Sequence, residues 1–255
     1  MKTSLIDLHW EHPSLDRIKG VLSMTALSGN IEEWRPRDNF WNSTEMEAWS
    51  RLKFFKRQRQ YVAGRYAAKA AVSKWLGGAA LNEFGIHAGV FQQPVVRSAD
   101  WEVPLVSIGH TDDCGVALAV PTGFPIGIDI EDINSDRLAS VQSIFQQHFG
   151  RAVEATLPPE SAEILEWTAH ESLSKALLVG LTYPFEKVAA ERIESLGVGF
   201  WRWTWRDFSQ YQTLVFILGA HIIAMTYPKH WTLMGNGGDE RFAESLKDLR
   251  KSDPK

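Results

Sequence analysis

Three segments of the chain have apolar side chains at helical spacing. The first runs from about residue 50 to residue 76 and is followed by two glycines, which predict a helix end. The second covers residues 160–179, between Pro159 and Gly180, residue types that suit a helix start and a helix end. A shorter pattern predicts a helix over residues 137–149.

Other segments have the apolar patterns of β-strands. Residues 104–131, which include VPLVSIGH, CGVALAV and PIGIDIE, predict an antiparallel meander. The stretch FWRWTWRDF (200–208) alternates, with three tryptophans on one face, and TLVFILGAHIIAMTY (213–227) predicts two strands separated near Gly219. A tryptophan stripe of this kind is typical of a core, and a docking surface for a partner is the alternative.

Both halves of the chain have a long helix followed by antiparallel strands. This order favours an α+β fold with a pseudo-two-fold duplication of two similar halves. We expect an N-terminal half at 1–123, with the basic helix, and a C-terminal half at 124–234, with the GIDIE strand and the second long helix. Residues 235–255 open with GNGGDE and are rich in charge, which is typical of a linker followed by a marginal helix or a disordered tail.

The composition is that of an ordinary globular protein. The chain has 255 residues, is 44% hydrophobic and carries a net charge of -4, so it has no overall bias toward nucleic acid or membranes. Its single cysteine, Cys114, excludes an internal disulfide and fits a reducing compartment. The N-terminus lacks the apolar run of a signal peptide, and no segment is apolar for long enough to span a bilayer. We therefore expect a soluble, cytoplasmic protein that binds neither nucleic acid nor a membrane.

The local charge departs from this average between residues 51 and 82. This stretch contains eight basic residues and no acidic one. The basic residues are Arg51, Lys53, Lys56, Arg57, Arg59, Arg65, Lys69 and Lys74. Such a stretch fits a polyanionic ligand, and a solvated helix face is the alternative.

Two carboxylates, Asp129 and Glu131, interrupt an otherwise apolar strand. Because they are two residues apart, they project from one face, where burial would require a cation such as Mg²⁺; a solvent-facing pair on an edge strand is the alternative. On the second long helix, Glu171 lies four residues before Lys175, either as a third metal ligand or as a helical ion pair. His110 lies just past a predicted strand end, either near the same cleft or as a satisfied polar group.

Four stretches, in this order and spacing, resemble the motifs of the 4′-phosphopantetheinyl transferases, most closely the long, Sfp-type branch. The stretches are RQRQYVAGR (57–65), SIGHT (107–111), GIDIE (127–131) and WTAHESLSKA (167–176). The resemblance covers roughly residues 50–227. It implies two similar α+β halves with the active site between them, in a monomeric protein. It also implies transfer of the 4′-phosphopantetheine arm from coenzyme A to a serine of an acyl, peptidyl or aryl carrier protein, with Mg²⁺ as cofactor and adenosine 3′,5′-bisphosphate as product.

The resemblance assigns roles to residues that match the family motifs. The implied metal ligands are Asp129, Glu131 and Glu171, and Glu171 is also the implied base toward the acceptor serine. His110 matches a histidine that contacts a coenzyme A phosphate, Lys175 a lysine near the pyrophosphate, and Arg59 an arginine near the 3′-phosphate. The further candidates for binding coenzyme A are Lys53, Lys56, Gln93, Pro94 and Ser107.

Three departures from the family pattern concern coenzyme A rather than the metal. His170 stands where a lysine often precedes the motif glutamate, Gly109 and Thr111 replace serines, and Gln92-Gln93-Pro94 replaces a Gly-Lys-Pro turn. His170 and the missing Gly-Lys pair favour a second hypothesis, a non-enzymatic relative that keeps the fold and binds coenzyme A or a carrier domain. A third hypothesis is a Mg²⁺-dependent nuclease with the same acids and basic helix, although the compact patch lacks an obvious base-reading element.

Overall fold

The computed structural model of this protein describes residues 1–28, 40–99, 101–133, 157–182 and 188–234. The helix predicted over 137–149 and the tail predicted over 235–255 lie outside the described residues. The described part is a mixed α+β fold with few helices and antiparallel sheets, which confirms the predicted α+β class. The duplication of two similar halves stays a prediction. None of the helices in these ranges combines the length and the apolar character that crossing a bilayer requires.

The helices and strands of the described residues are as follows. The helices are α1 (Ser43–Ser50), α2 (Phe55–Trp75) and α3 (Ala162–Ala176), with a 3₁₀ turn at Gly180–Thr182. The strands are β1 (Lys2–His12), β2 (Leu15–Ala26), β3 (Gly85–Ala88), β4 (Pro94–Arg97), β5 (Leu105–His110), β6 (Cys114–Val120), β7 (Gly127–Asp132), β8 (Ala190–Gly197), β9 (Phe200–Trp205), β10 (Tyr211–Leu218), β11 (His221–Pro228) and β12 (Thr232–Met234).

The two long helices are shorter than their apolar patterns predict. Helix α2 begins at Phe55 because Phe54 has an extended backbone, with φ of -103° and ψ of 130°. Helix α1 is a separate element, and Asn42 and Glu45 form a capping box at its start. Helix α3 ends at Ala176, and Leu178 soon after it has a left-handed φ of 57°, which stops helical continuation.

The chain divides into two compact units. The first contains Met1–His9 and Arg17–Phe124, and the second contains Trp10–Asp16 and Pro125–Lys255. Strands β1 and β2 form a hairpin whose tip therefore belongs to the second unit. In that unit the ring of His12 at the tip lies 5.1 Å from the ring of Trp231.

In the first unit, helix α2 packs against an antiparallel sheet. Within this unit the strand order is β1-β2-β6-β5, and α2 contacts β6 and β5. The approach is close because the buried side of α2 is rich in alanine and because Gly115 lies opposite it on β6. A Cβ on Gly115 would overlap the backbone of Ala63, so only glycine fits at this position.

In the second unit, helix α3 packs against a five-stranded antiparallel sheet. The strand order is β7-β11-β10-β9-β8, and α3 contacts β7, β11 and β10. A Cβ on Gly127 of β7 would overlap the carbonyl oxygen of Ser172, so glycine again permits the close approach of helix and strand. This contact positions the two motifs that the sequence singled out.

For these sheets one prediction is wrong, the meander, and one is confirmed, the core position of the tryptophan stripe. Strand β7 pairs with β11 and not with β6, so residues 104–131 form a hairpin and a strand of another sheet rather than one meander. The three tryptophans of β9 are core residues, with Trp201 5% exposed and Trp203 and Trp205 0% exposed. Their burial excludes the docking surface and follows from the apolar side of α3 that they cover.

Candidate functional site

Strand β7 places two carboxylates on one buried face of the second unit. Asp129 is 4% exposed and Glu131 is 6% exposed. They pair in register with Ala224 and Ile222 of β11, and although β7 is the terminal strand of its sheet, both side chains are shielded from solvent. The solvent-facing alternative for this pair is therefore wrong, and each carboxylate needs a polar partner inside the protein.

Helix α3 supplies those partners from one of its faces. Trp167, Glu171 and Lys175 are four residues apart in sequence and so follow one another along the helix. The indole Nε1 of Trp167 donates to Glu131 Oε1 at 3.0 Å. The Nζ atom of Lys175 donates to Asp129 Oδ1 at 2.5 Å and to the carbonyl oxygen of Ile128 at 3.1 Å.

These contacts bring together the residues that the sequence predicted from two distant motifs. Since Trp167 and Lys175 both reach β7, Glu171, midway between them on the helix, lies on the helix face that meets β7. Its side chain is only partly buried. The face thus combines three carboxylates and one ammonium group in the second unit.

The chemistry of this donor set suits a hard divalent cation. All three candidate ligands are carboxylates, and Asp129 Oδ2 is buried without a hydrogen-bond partner among the described residues. The three carboxylates do not bring one oxygen each within 4.8 Å of one another in the described part of the chain. Lys175 is instead the observed partner of Asp129.

A buried chain of hydroxyl groups holds α3 on its sheet. Ser172 Oγ donates to the carbonyl oxygen of Gly127 at 3.2 Å and lies 2.7 Å from Thr226 Oγ1. Thr226 Oγ1 lies 2.6 Å from Thr213 Oγ1, which accepts from Trp205 Nε1 at 2.9 Å. The chain fixes α3 along β7, and thereby the positions of its neighbours Glu171 and Lys175.

His170 is part of the core of the second unit. It is 2% exposed, and its two ring nitrogens lie 2.8 Å from the carbonyl oxygen of Glu166 and 2.6 Å from that of Val188. Burial lowers the pKa of His170 below its ordinary value, although the two carbonyl groups oppose that shift. His170 thus ties α3 to the segment before β8, and its ring nitrogens face backbone oxygens rather than a ligand.

Glu166 is a carboxyl group whose protonation changes near neutral pH. Burial, and secondarily the charge of Glu163, raises the pKa of Glu166 from 4.5 to about 7. Its Oε2 atom is buried without a hydrogen-bond partner among the described residues. The folded protein therefore holds a proton here that the unfolded chain releases near pH 4.5, so this group makes folding less favourable as pH rises from about 4.5 to 7.

We expect the Glu166→Gln variant to be more stable than the wild type at alkaline pH. The gain should be about 1–3 kcal/mol at pH 8 and under about 1 kcal/mol at pH 5, because glutamine removes the cost of an ionised carboxylate. Urea unfolding at the two pH values measures it. The control is Glu160→Gln, which alters an exposed carboxylate just before α3. A gain that does not change with pH would contradict the raised pKa.

In the first unit, His110 lies at the end of β5 and is exposed. A Cβ on Gly64 of α2 would lie 3.5 Å from His110 Cδ2, so the imidazole lies beside the glycine of the basic-helix motif. The structure thus brings the SIGHT and RQRQYVAGR motifs together within this unit. Ser107, on the same strand, is 4% exposed and faces the interior.

Asp112, which the sequence analysis did not single out, links the basic helix to the turn after His110. Lys56 Nζ lies 3.0 Å from Asp112 Oδ2, and Gln60 Nε2 donates to Asp112 Oδ1 at 2.7 Å. Burial would raise the pKa of Asp112, but hydrogen bonds from Lys56 and Gln60 and the charges of Lys56 and Arg59 lower it. Arg59 is therefore close to this turn, and its buried Nε has no hydrogen-bond partner among the described residues.

The other predicted coenzyme A contacts have local roles or are exposed. Lys53 is exposed just before α2. Gln93 folds back on its own hairpin, because its Oε1 accepts from the Phe91 amide at 2.9 Å and its carbonyl oxygen accepts from the Gly89 amide at 2.7 Å. Pro94 begins β4 and pairs with Ala88.

The basic stretch does not form one continuous patch. Lys69 is fully buried and paired with Glu45 at 2.7 Å. Lys74 is paired with Asp7 at 2.8 Å, and Arg51 is paired with Glu47 on the surface. The hypothesis of a polyanion site therefore narrows to basic residues just before α2 and in its first turns, which are Lys53, Lys56, Arg57 and Arg59.

Comparisons with known proteins give structural likenesses but no family. No family model matches the chain, and no curated protein matches it. Among solved structures it is similar to a holo-(acyl-carrier-protein) synthase from Bacillus anthracis str. Ames in complex with CoA (3′,5′-ADP). That likeness has 17% sequence identity and a TM-score of 0.33, and it covers 46% of this chain and 95% of that chain. A likeness at this level says nothing about chemistry, which has to be inferred from the residues themselves.

Proposed function

We propose that the protein transfers the 4′-phosphopantetheine arm of coenzyme A to a serine of an acyl, peptidyl or aryl carrier protein. The observation that carries this proposal is the contact between β7 and α3, where Lys175 meets Asp129 and Trp167 meets Glu131. It joins the GIDIE and WTAHESLSKA motifs on which the resemblance to phosphopantetheinyl transferases rests. A buried pair of carboxylates facing a glutamate and a lysine suits transfer of a phosphoryl group.

The reaction forms one bond to phosphorus and breaks another. The oxygen of the carrier serine attacks the phosphorus attached to pantetheine, the bond to the bridging oxygen breaks, and adenosine 3′,5′-bisphosphate leaves with the electron pair. Glu171 takes the proton of the serine hydroxyl, since a neutral hydroxyl is a poor nucleophile. The ammonium group of Lys175 stabilises the negative charge that develops on the diphosphate oxygens.

Asp129, Glu131 and Glu171 would hold Mg²⁺, the ion that suits an all-carboxylate set beside phosphates. The uncompensated Oδ2 of Asp129 supports this assignment. When bound, the ion supplies positive charge that stabilises the phosphate oxygens. Trp167 orients Glu131 by its indole N–H and so determines which carboxylate oxygen faces other ligands.

The first unit would contribute contacts to coenzyme A. We assign anion contacts to His110, Arg59 and the exposed Lys56 and Lys53, since these groups lie at the start of α2 or beside it. Lys56 would exchange Asp112 for a phosphate, because its present ion pair is on the surface and weak. The remaining proposed contacts to coenzyme A are Gln93, Pro94 and Ser107, which offer only uncharged groups.

The proposed pseudo-two-fold duplication is supported by strand pairing. In the first unit β2 precedes the helix and pairs with β6, the second strand of the β5–β6 hairpin after the helix. In the second unit β7 precedes the helix and pairs with β11, the second strand of the β10–β11 hairpin. Each unit thus has the order strand, helix and antiparallel strands. In each, the strand before the helix pairs with the second strand of the hairpin that follows the helix.

Carrier modification tests the proposed function directly. We expect the protein, incubated with coenzyme A, Mg²⁺ and a panel of acyl, peptidyl and aryl carrier domains, to raise the mass of at least one carrier by one phosphopantetheine arm. Mass spectrometry of the intact carrier and of its serine variant measures this. Unmodified carriers throughout the panel, in reactions where a known transferase modifies them, would reject the proposal.

One observation favours a second candidate, a relative that binds coenzyme A or a carrier domain without transfer. Asp129 is already paired with Lys175, and the three carboxylates are not gathered around one point in the described residues. Calorimetry that detects carrier binding, together with an unchanged carrier mass, would favour this candidate over the transferase.

A further inference from the structure

We propose that Lys175 and the divalent cation compete for Asp129, and that coenzyme A relieves this competition by drawing Lys175 to its diphosphate. This inference rests on the proposed function and adds to it an order of assembly. The cation would bind weakly to the free protein and tightly to the protein that holds coenzyme A.

Asp129 is a buried carboxylate with one oxygen paired and the other unpaired in the described part of the chain. Its side chain is buried on β7, and one of its two oxygens accepts a short, charge-assisted hydrogen bond from Lys175 at 2.5 Å. The other oxygen is buried without a hydrogen-bond partner among the described residues. A single ammonium group therefore compensates this carboxylate, and it does so incompletely.

Lys175 is placed so that it can leave. It lies in the last turn of α3, and its side chain is 28% exposed, whereas that of Asp129 is 5% exposed. Lys175 also donates to a neutral acceptor on β7, the carbonyl oxygen of Ile128, at 3.1 Å. The flexible four-carbon side chain of lysine can turn toward an anion while α3 stays fixed by Ser172 on Gly127.

Cation and ammonium group exclude each other at this carboxylate. A divalent cation on Asp129 would lie within a few ångströms of the observed ammonium position, and like charges at that separation inside a protein repel strongly. The cation therefore has to displace Lys175 and lose the stabilisation of the existing pair. With the diphosphate present, Lys175 has a second anionic partner, and this cost falls.

Thermodynamic linkage makes the effect reciprocal. If coenzyme A raises the affinity for the cation, the cation raises the affinity for coenzyme A by the same factor. Removing the ammonium group should abolish the part of this coupling that arises from displacement. Lys175→Met should therefore gain affinity for the cation in the absence of coenzyme A, while losing transfer activity because the leaving diphosphate is less stabilised.

Mn²⁺ binding, measured by electron paramagnetic resonance of the free ion, tests this without any carrier. We expect Lys175→Met to bind Mn²⁺ at least about 10-fold more tightly than the wild type, and coenzyme A to raise wild-type affinity by a similar factor but that of the variant little. Lys229→Met, which removes an exposed lysine of the same unit, should behave as wild type. In Asp129→Asn, coenzyme A should no longer raise the affinity for Mn²⁺. The Mn²⁺ that coenzyme A binds in the absence of protein is measured separately and subtracted.

Unchanged or weaker Mn²⁺ binding by Lys175→Met would overturn the competition, and so would a wild-type affinity that coenzyme A leaves unaltered. The second measurement needs no substitution, so it decides the question even if the variant misfolds. The proposed function is judged separately by carrier mass. A protein that modifies carriers without coupling refutes only the competition, and coupling without carrier modification refutes only the transfer.

Discussion

Glu171→Gln is expected to slow carrier modification by at least about 100-fold, the lower end of what a positioned general base contributes. Glutamine keeps the size and the partly buried position of the side chain but cannot take the serine proton. Binding of coenzyme A in the absence of Mg²⁺ should change little, because no proposed coenzyme A contact is altered. Initial rates of mass gain, at saturating coenzyme A and carrier, measure the effect.

A matched control and a metal titration separate the possible causes of this loss. Glu160→Gln removes an exposed carboxylate just before the same helix and should leave the rate unchanged. Raising the Mg²⁺ concentration should restore activity if glutamine only weakens metal binding, and should fail to restore it if Glu171 is the base. A Glu171→Gln protein that modifies carriers at nearly the wild-type rate would remove Glu171 from the catalytic role.

The geometry of the candidate site follows in part from sequence spacing. A separation of two residues on a strand gives a common face to Asp129 and Glu131, and a separation of four on a helix does so for Glu171 and Lys175. These periodicities are local, so they can be predicted without coordinates. The contact between Trp167 and Glu131 is harder to predict from the sequence, although a buried indole N–H and a buried carboxylate each require a polar partner.

Long-range pairing is what the sequence could not specify. The short connection after β6 favoured pairing of β7 with its neighbour in the chain, yet β7 pairs with β11, about ninety residues later. The hairpin of β1 and β2 was not predicted because the first half of each strand is mostly exposed, and the apolar alternation is correspondingly weak. Both features depend on which surfaces the folded chain covers.

The burial of Lys69 is a second feature that depends on contacts between residues distant in sequence. Counted along the sequence, Lys69 belongs to the basic stretch that predicts a polyanion site. In the structure it lies among the buried residues of α2, close to Ala68 and Val72, because Glu45 of α1 provides a counter-charge. No local spacing connects residues 45 and 69, so burial of this lysine could not be read from the pattern.

This ion pair should make Lys69→Met one of the most destabilising substitutions in the first unit. Glu45 is 1% exposed and Lys69 is fully buried, with their charged atoms 2.7 Å apart. Lys69 also donates to the carbonyl oxygens of Leu81 at 2.6 Å and Phe84 at 3.0 Å. Burial lowers the pKa of Lys69, and the charge of Glu45 opposes that shift, so Glu45 helps Lys69 to remain ionised.

We expect Lys69→Met to lose about 3–5 kcal/mol of unfolding free energy, because it leaves Glu45 as an uncompensated buried charge beside unsatisfied carbonyl groups. Urea unfolding monitored by circular dichroism measures the loss. Lys74→Met, one turn further along α2, breaks the more exposed pair with Asp7 and should cost under about 1 kcal/mol. Glu45→Gln in the Lys69→Met background should recover part of the loss, since it removes the stranded charge. Equal costs for the two lysine variants would show that the buried pair contributes no more than a surface one.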